Sequence, residues 1–303
     1  MTGTIMVGVD GTAEHRAALE WAARRAVRDG SRLELVFVLA HAWGDDADGP
    51  SDLLVLAAKS LLATEREAAL RIAEDASTLV PALTGPEPAP RRRPPGLEVG
   101  TRYLYGHVGA ELTAASSSAD LLVVGARSRS QRDRGFAGSL HLRVASTAAC
   151  SVAVVPHGWA GSGVGVVAGV DGTAPAETAV AFAADEAAAL GEGLHLVCVG
   201  YTANPLLAGL VPEVSLDDRR QRIVDAAAES ARERRPAIDV RADVIEAAPA
   251  RGLVEAAEGS RMLIVGTRDR HGAKRVMLGS VGHDVLLNVR VPVVIARTRR
   301  EAE

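Results

Sequence analysis

The sequence predicts an α/β protein built as two tandem copies of one unit, each a parallel sheet covered by helices. Three observations carry that reading. Val7-Gly8-Val9-Asp10-Gly11-Thr12 returns as Ala168-Gly169-Val170-Asp171-Gly172-Thr173, an offset of 161. Leu122-Val123-Val124-Gly125 returns as Leu263-Ile264-Val265-Gly266, and Gly138-Ser139 as Gly279-Ser280, both at an offset of 141. Internal repetition of this kind marks duplicated structural units. The apolar runs are continuous rather than alternating, as in strands buried on both faces, and helical patterns separate them.

In order, Thr4–Val9 reads as the first strand, and Thr12 can cap the helix that follows. That helix sets Ala18, Trp21 and Ala22 on one face, matched by Ala179, Phe182 and Ala183 in the second copy. Leu33–Leu39 and Leu194–Val199 are second strands. Leu121–Val124 and Leu263–Val265 are uninterrupted β-rich runs, as are Val152–Val155 and Val291–Ile295. Short helices are expected at Leu140–Ala148 and Val281–Leu287. The first copy is longer, largely through the stretch Pro81–Pro95, whose six prolines and Arg91-Arg92-Arg93 run read as an exposed loop. The run Ser116-Ser117-Ser118 before a strand also reads as a loop. The expected division is residues 1–156, a linker at 157–163 containing several glycines, and residues 164–298.

Composition narrows the function. The 303 residues are 48% hydrophobic and 24% charged, ordinary for a globular chain and not for a disordered one. The net charge is −4 and neither half is basic, so nucleic-acid binding driven by charge is not expected. At 3% aromatic residues, stacking of bases or sugars is not expected either. Cys150 and Cys198 stand alone, without a CxxC pair for zinc or dithiol chemistry. The eight histidines have no metal-ligand spacing. No apolar stretch nears the roughly 20 residues of a membrane span. The opening run from Met1 to Asp10 reads as a strand ending in an acid rather than a signal peptide, so the expected location is cytoplasmic.

In an open parallel sheet, ligands sit at the carboxyl ends of the strands where the strand order reverses. The informative residues are therefore those just after each apolar run. Asp10-Gly11 and Asp171-Gly172 follow the first strands. Gly125-Ala126-Arg127-Ser128 is followed nine residues on by Gly138-Ser139, and Gly266-Thr267-Arg268-Asp269 by Gly279-Ser280. Glycine lets backbone approach an anion, and a helix N-terminus offers free N–H groups and the positive end of a dipole. Arg127 and Arg268 can add charge, and Ser139 and Ser280 a hydroxyl. The same residues also suit a plain turn and N-cap, and each Asp suits a carboxylate that organises its own strand–helix turn. Neither a Walker A loop nor a G-x-S-x-G elbow occurs, and no general base or nucleophile accompanies the loops.

Taken together, the two copies resemble universal stress protein domains, whose first strand ends in an aspartate and whose loop has the form G-x2-G-x9-G-[ST]. Here Asp10 goes with Gly125-x2-Ser128-x9-Gly138-Ser139, and Asp171 with Gly266-x2-Asp269-x9-Gly279-Ser280. The resemblance covers nearly the whole chain. It implies a Rossmann-like, adenine nucleotide alpha hydrolase-like sheet of five parallel strands in each copy. It implies ATP, with or without Mg2+, as ligand: the adenosine near Asp10 and Val38, or Asp171 and Val199, and the phosphates on the glycine loop. It also implies pairing of the two domains through their last strands, and pairing of chains. Both loops depart from the pattern at the second glycine. Ser128 can still donate a hydrogen bond, whereas Asp269 sets a carboxylate where phosphate is expected, so the second site is expected to be weaker. An interaction protein that keeps the fold without the nucleotide is the alternative reading. An α/β enzyme using adenylate chemistry is a third, without the phosphate-gripping lysine or histidine motif it would need.

Overall fold

Why the apolar runs become central strands is visible in their burial. β4 (Leu121–Ala126), β5 (Ser151–Pro156), β9 (Met262–Gly266) and β10 (Val293–Ala296) are buried almost throughout, which only a sheet covered on both faces provides. The computed structural model describes residues 3–12, 16–40, 49–79, 96–126, 140–200, 213–267 and 278–298. The expected loop at 81–95 lies outside them. The chain divides into two compact units at Gly158–Trp159.

In the first unit the remaining elements are β1 (Thr4–Gly8), α1 (Arg16–Asp29), β2 (Arg32–Ala40), α2 (Asp52–Leu79), β3 (Val99–Gly106), α3 (Val108–Ala115) and α4 (Leu140–Thr147). The strands run in the order β3-β2-β1-β4-β5, and every pair is parallel. The second unit repeats this with β6 (Val166–Gly169), α5 (Ala174–Leu190), β7 (Leu194–Gly200), α6 (Glu213–Arg234), β8 (Val240–Glu246), α7 (Pro249–Ala256) and α8 (Ser280–Leu287). Its order is β8-β7-β6-β9-β10, again parallel. Each unit therefore contributes five parallel strands in doubly wound order, which reverses beside β1 and beside β6.

The core forms where helix stripes meet strand faces. Ala18, Leu19, Trp21, Ala22, Ala23 and Ala26 of α1 are buried, the alanines letting the helix lie close to the sheet. Leu122 and Leu263 are at most 1% exposed, and truncating either to alanine costs about 2–5 kcal/mol. The edge strands β3 and β8 are polar on part of their surface and were not among the apolar runs.

One loop differs from expectation. Ser116–Ser118 is a 3-10 turn rather than an irregular loop. Ser116 is fully buried; its Oγ donates to the Thr113 carbonyl at 2.6 Å and accepts the Ala149 N–H at 2.8 Å, tying the end of α3 to the turn before β5. The chain just after the expected linker is held to the second unit: the Glu192 carboxylate accepts Gly165 N–H at 2.6 Å and Arg261 Nε–H at 2.9 Å.

Candidate functional site

The hexapeptide that repeats builds the same turn twice. Asp10 Oδ1 accepts the Thr12 N–H at 3.0 Å and the Thr12 hydroxyl at 2.8 Å. Asp171 Oδ1 accepts the Thr173 N–H at 3.1 Å and hydroxyl at 2.5 Å. Gly11 and Gly172 between them have φ of 75° and 74°, the left-handed region where glycine is at no steric cost. Thr173 stands at the N-cap of α5 without a side-chain cap bond, its hydroxyl turned back to the aspartate. The Thr12 hydroxyl also bonds its aspartate, and the three residues that follow it lie outside the described residues. Organising the turn is thus one thing each aspartate does. Asp171 is exposed and Asp10 half-buried.

Strand register gathers the other candidates around these turns. Gly8 of β1 pairs with Val36 of β2, and the Val9 N–H donates to the Val36 carbonyl at 2.9 Å. Asp10 therefore leaves the sheet beside Val38. On the other side Val7 pairs with Val123, so Gly125 reaches the same edge. In the second unit Gly169 pairs with Val197 and Ala168 with Ile264, which assembles Asp171, Val199 and Gly266 alike. Each trio stands at the carboxyl ends of the three strands flanking the reversal, where a crevice forms in folds of this kind.

The glycine loops are described only at their ends. Arg127, Ser128, Gly138 and Ser139 lie outside the described residues, as do Arg268 and Asp269. Gly266 shows a packing reason for its identity: a β-carbon there would collide with the Pro175 carbonyl in the first turn of α5. Gly279 is the N-cap of α8 in extended conformation, without a side-chain cap, and the exposed Ser280 begins the helix. Val38 is 8% exposed. Val199 packs under α7, its Cγ1 2.8 Å from where a β-carbon on Gly252 would stand.

One group at this edge was not anticipated. Arg220 of α6 lays its guanidinium against the backbone of Gly200 at the end of β7, filling the space a β-carbon would need. It lies within electrostatic reach of Cys198, as does Asp171. Burial pushes the Cys198 thiol above its ordinary range; Arg220 opposes this and Asp171 adds to it. Such a thiol stays protonated and is a packing group rather than a nucleophile. Among the described residues no cluster of three histidine, cysteine or acidic side chains is placed to hold a metal, and no helix is long and apolar enough to cross a membrane.

Two doubly wound parallel units, each with an aspartate turn at its reversal point, define a tandem protein of the doubly wound α/β class. Residues 1–156 and again 165–297 match the Universal stress protein family, and the chain belongs to that family. A universal stress protein of Mycolicibacterium smegmatis is 31% identical, with 97% of each chain covered. Among solved structures, a universal stress protein from Archaeoglobus fulgidus superposes with a TM-score of 0.66 at 16% identity, over 97% of this chain and 96% of that one. A universal stress protein solved in complex with cAMP matches 45% of this chain and 98% of its own, at 25% identity and a TM-score of 0.34.

Proposed function

We propose that the protein is an adenine-nucleotide-binding module of the stress response, taking ATP at the carboxyl edge of each sheet. The observation that carries this is the convergence of Asp10, Val38 and Gly125 on one reversal point, repeated by Asp171, Val199 and Gly266. In this reading Asp10 and Asp171 meet the nucleoside through the carboxylate surface that the turn leaves accessible. Gly125, Arg127, Ser128, Gly138 and Ser139 take the phosphates in the first domain, and Gly266, Arg268, Gly279 and Ser280 in the second. Any Mg2+ would arrive on the phosphates. Binding rather than turnover is the role, with chains free to pair through surfaces outside the crevices.

Calorimetry with ATP on the wild type and on Asp10→Asn tests this. Asparagine keeps the Oδ1 acceptor on which the turn depends and removes the charge. An affinity that falls several-fold, at an unchanged melting temperature, places the carboxylate on the ligand. Equal affinities restrict Asp10 to the turn.

One observation favours the alternative, a module that keeps the fold for protein interaction alone. The turn bonds of Asp10 and Asp171 and the packing of Gly266 on Pro175 account for those residues without a ligand. Absence of ATP binding by the wild type, together with retained folding, would decide for it.

A further inference from the structure

The two domains differ by an exchange of bulk at one place. Gly11 faces Leu61 of α2 and Gly172 faces Ile223 of α6, which puts the two helices in register 162 residues apart. Leu62 and Val224, both buried, agree with that register, as do Ala69 and Ala231. The counterpart of Arg220 is then Ala58, which is 1% exposed, and the strand counterpart of Gly200, at the offset of 161, is Leu39, which is 8% exposed. The first domain sets the large side chain on the strand and the small one on the helix. The second sets nothing on the strand and an arginine on the helix, so the space is filled by a cation instead of a hydrocarbon.

Filling space does not by itself call for this exchange. A leucine on β7 would fill the same volume without desolvating a guanidinium. What arginine adds is a charge that is always present and a fork of donors matched to phosphate oxygens. It stands at the carboxyl edge of β7, within electrostatic reach of the same thiol as Asp171.

We infer that Arg220 is a ligand-contacting cation of the second domain, and that its crevice is built for a ligand with phosphate at the β7 edge, where the first domain offers an apolar surface. The inference rests on the nucleotide-binding reading above.

The test is titration of the full chain with ATP and, separately, with adenosine, in the wild type, Arg220→Met and Arg220→Lys, at about 50 and 200 mM salt. Methionine keeps the apolar stem and removes the charge. The double variant Gly200→Leu/Arg220→Ala recreates the first domain's pair and guards against a simple packing defect. The expected result is that Arg220→Met and the double variant each weaken ATP binding at one site about tenfold and leave adenosine unchanged. Arg220→Lys should retain most of the affinity. Added salt should weaken that site in the wild type more than in Arg220→Met. A wild type that binds ATP while Arg220→Met and the double variant bind it equally well overturns the role of Arg220 alone. A folded wild type that binds ATP at neither site overturns the nucleotide reading, and the inference with it.

Discussion

His195 of β7 and Asp243 of β8 meet at 2.8 Å, Nε2 to Oδ2, at the place where Glu34 of β2 and Arg102 of β3 meet at 3.2 Å in the first sheet. The registers make the pairs equivalent: Leu33 opposite Val99 corresponds to Leu194 opposite Val240. The order is reversed, acid on the inner strand in one copy and on the edge strand in the other. A cross-strand contact needs an acid and a hydrogen-bonding partner and not a given order, so duplication preserved the contact while its members changed.

That pair gives the second domain a dependence on acid. Although partial burial works to raise the Asp243 carboxyl, hydrogen bonds from Arg241 and His195 outweigh it and hold the group below the usual carboxylate range. A depressed folded-state value means stability that is present above the unfolded value, about 3.9, and lost as pH falls through the folded one. With the pair partly exposed, solvent screening keeps the effect within about 1 kcal/mol. Urea melts of the wild type and Asp243→Asn should differ at pH 6 to 7 and converge near pH 2. A difference that persists undiminished at pH 2 would exclude this cause.

Gly266→Ala should destabilise the second domain whether or not ATP is present. Its new β-carbon meets a backbone carbonyl, which moves only if α5 shifts, at a cost of about 1–3 kcal/mol. Thermal unfolding without ligand measures it. An unchanged melting temperature would leave ligand approach as the reason for the glycine.

Gly11→Ala and Gly30→Ala separate two costs. Both glycines have positive φ, 75° and 66°, so each variant incurs about 1 kcal/mol of backbone strain. Only at Gly11 does the added carbon also press on a neighbour, Leu61 Cδ1 at 2.8 Å, while Gly30 has nothing within 4 Å. Chemical denaturation should therefore rank Gly11→Ala as the more damaging, and equal losses would show that Leu61 moves aside freely.

Ser116→Ala removes a hydroxyl that is buried and bonded at both ends. The Ala149 N–H loses that acceptor, and an unmet buried donor costs about 1–3 kcal/mol. Ser117→Ala, whose hydroxyl bonds the Ala114 carbonyl from an exposed position, is the control and should change stability by less. Equal effects would remove Ser116 as the tie between α3 and the turn before β5.

The sequence by itself determined the duplication, the parallel α/β class and the central strands. Burial on both faces forces unbroken apolar runs such as Leu121–Val124, and these are legible without coordinates. It also identified Asp10 and Asp171 at the ends of first strands, because position after a run is a property of the chain. The edge strands β3 and β8 were not legible as runs, since a strand paired along one side keeps polar residues such as Arg102 and Asp243. Only the tertiary structure decided that the Thr12 and Thr173 hydroxyls bond the aspartates, that Gly266 makes room for Pro175, and that Arg220 lies on Gly200. Each of these is a contact between groups whose proximity depends on helix phase, strand register or the rotation of a hydroxyl. Composition and periodicity fix which face of an element is buried, but they do not fix which atom on that face meets which atom opposite.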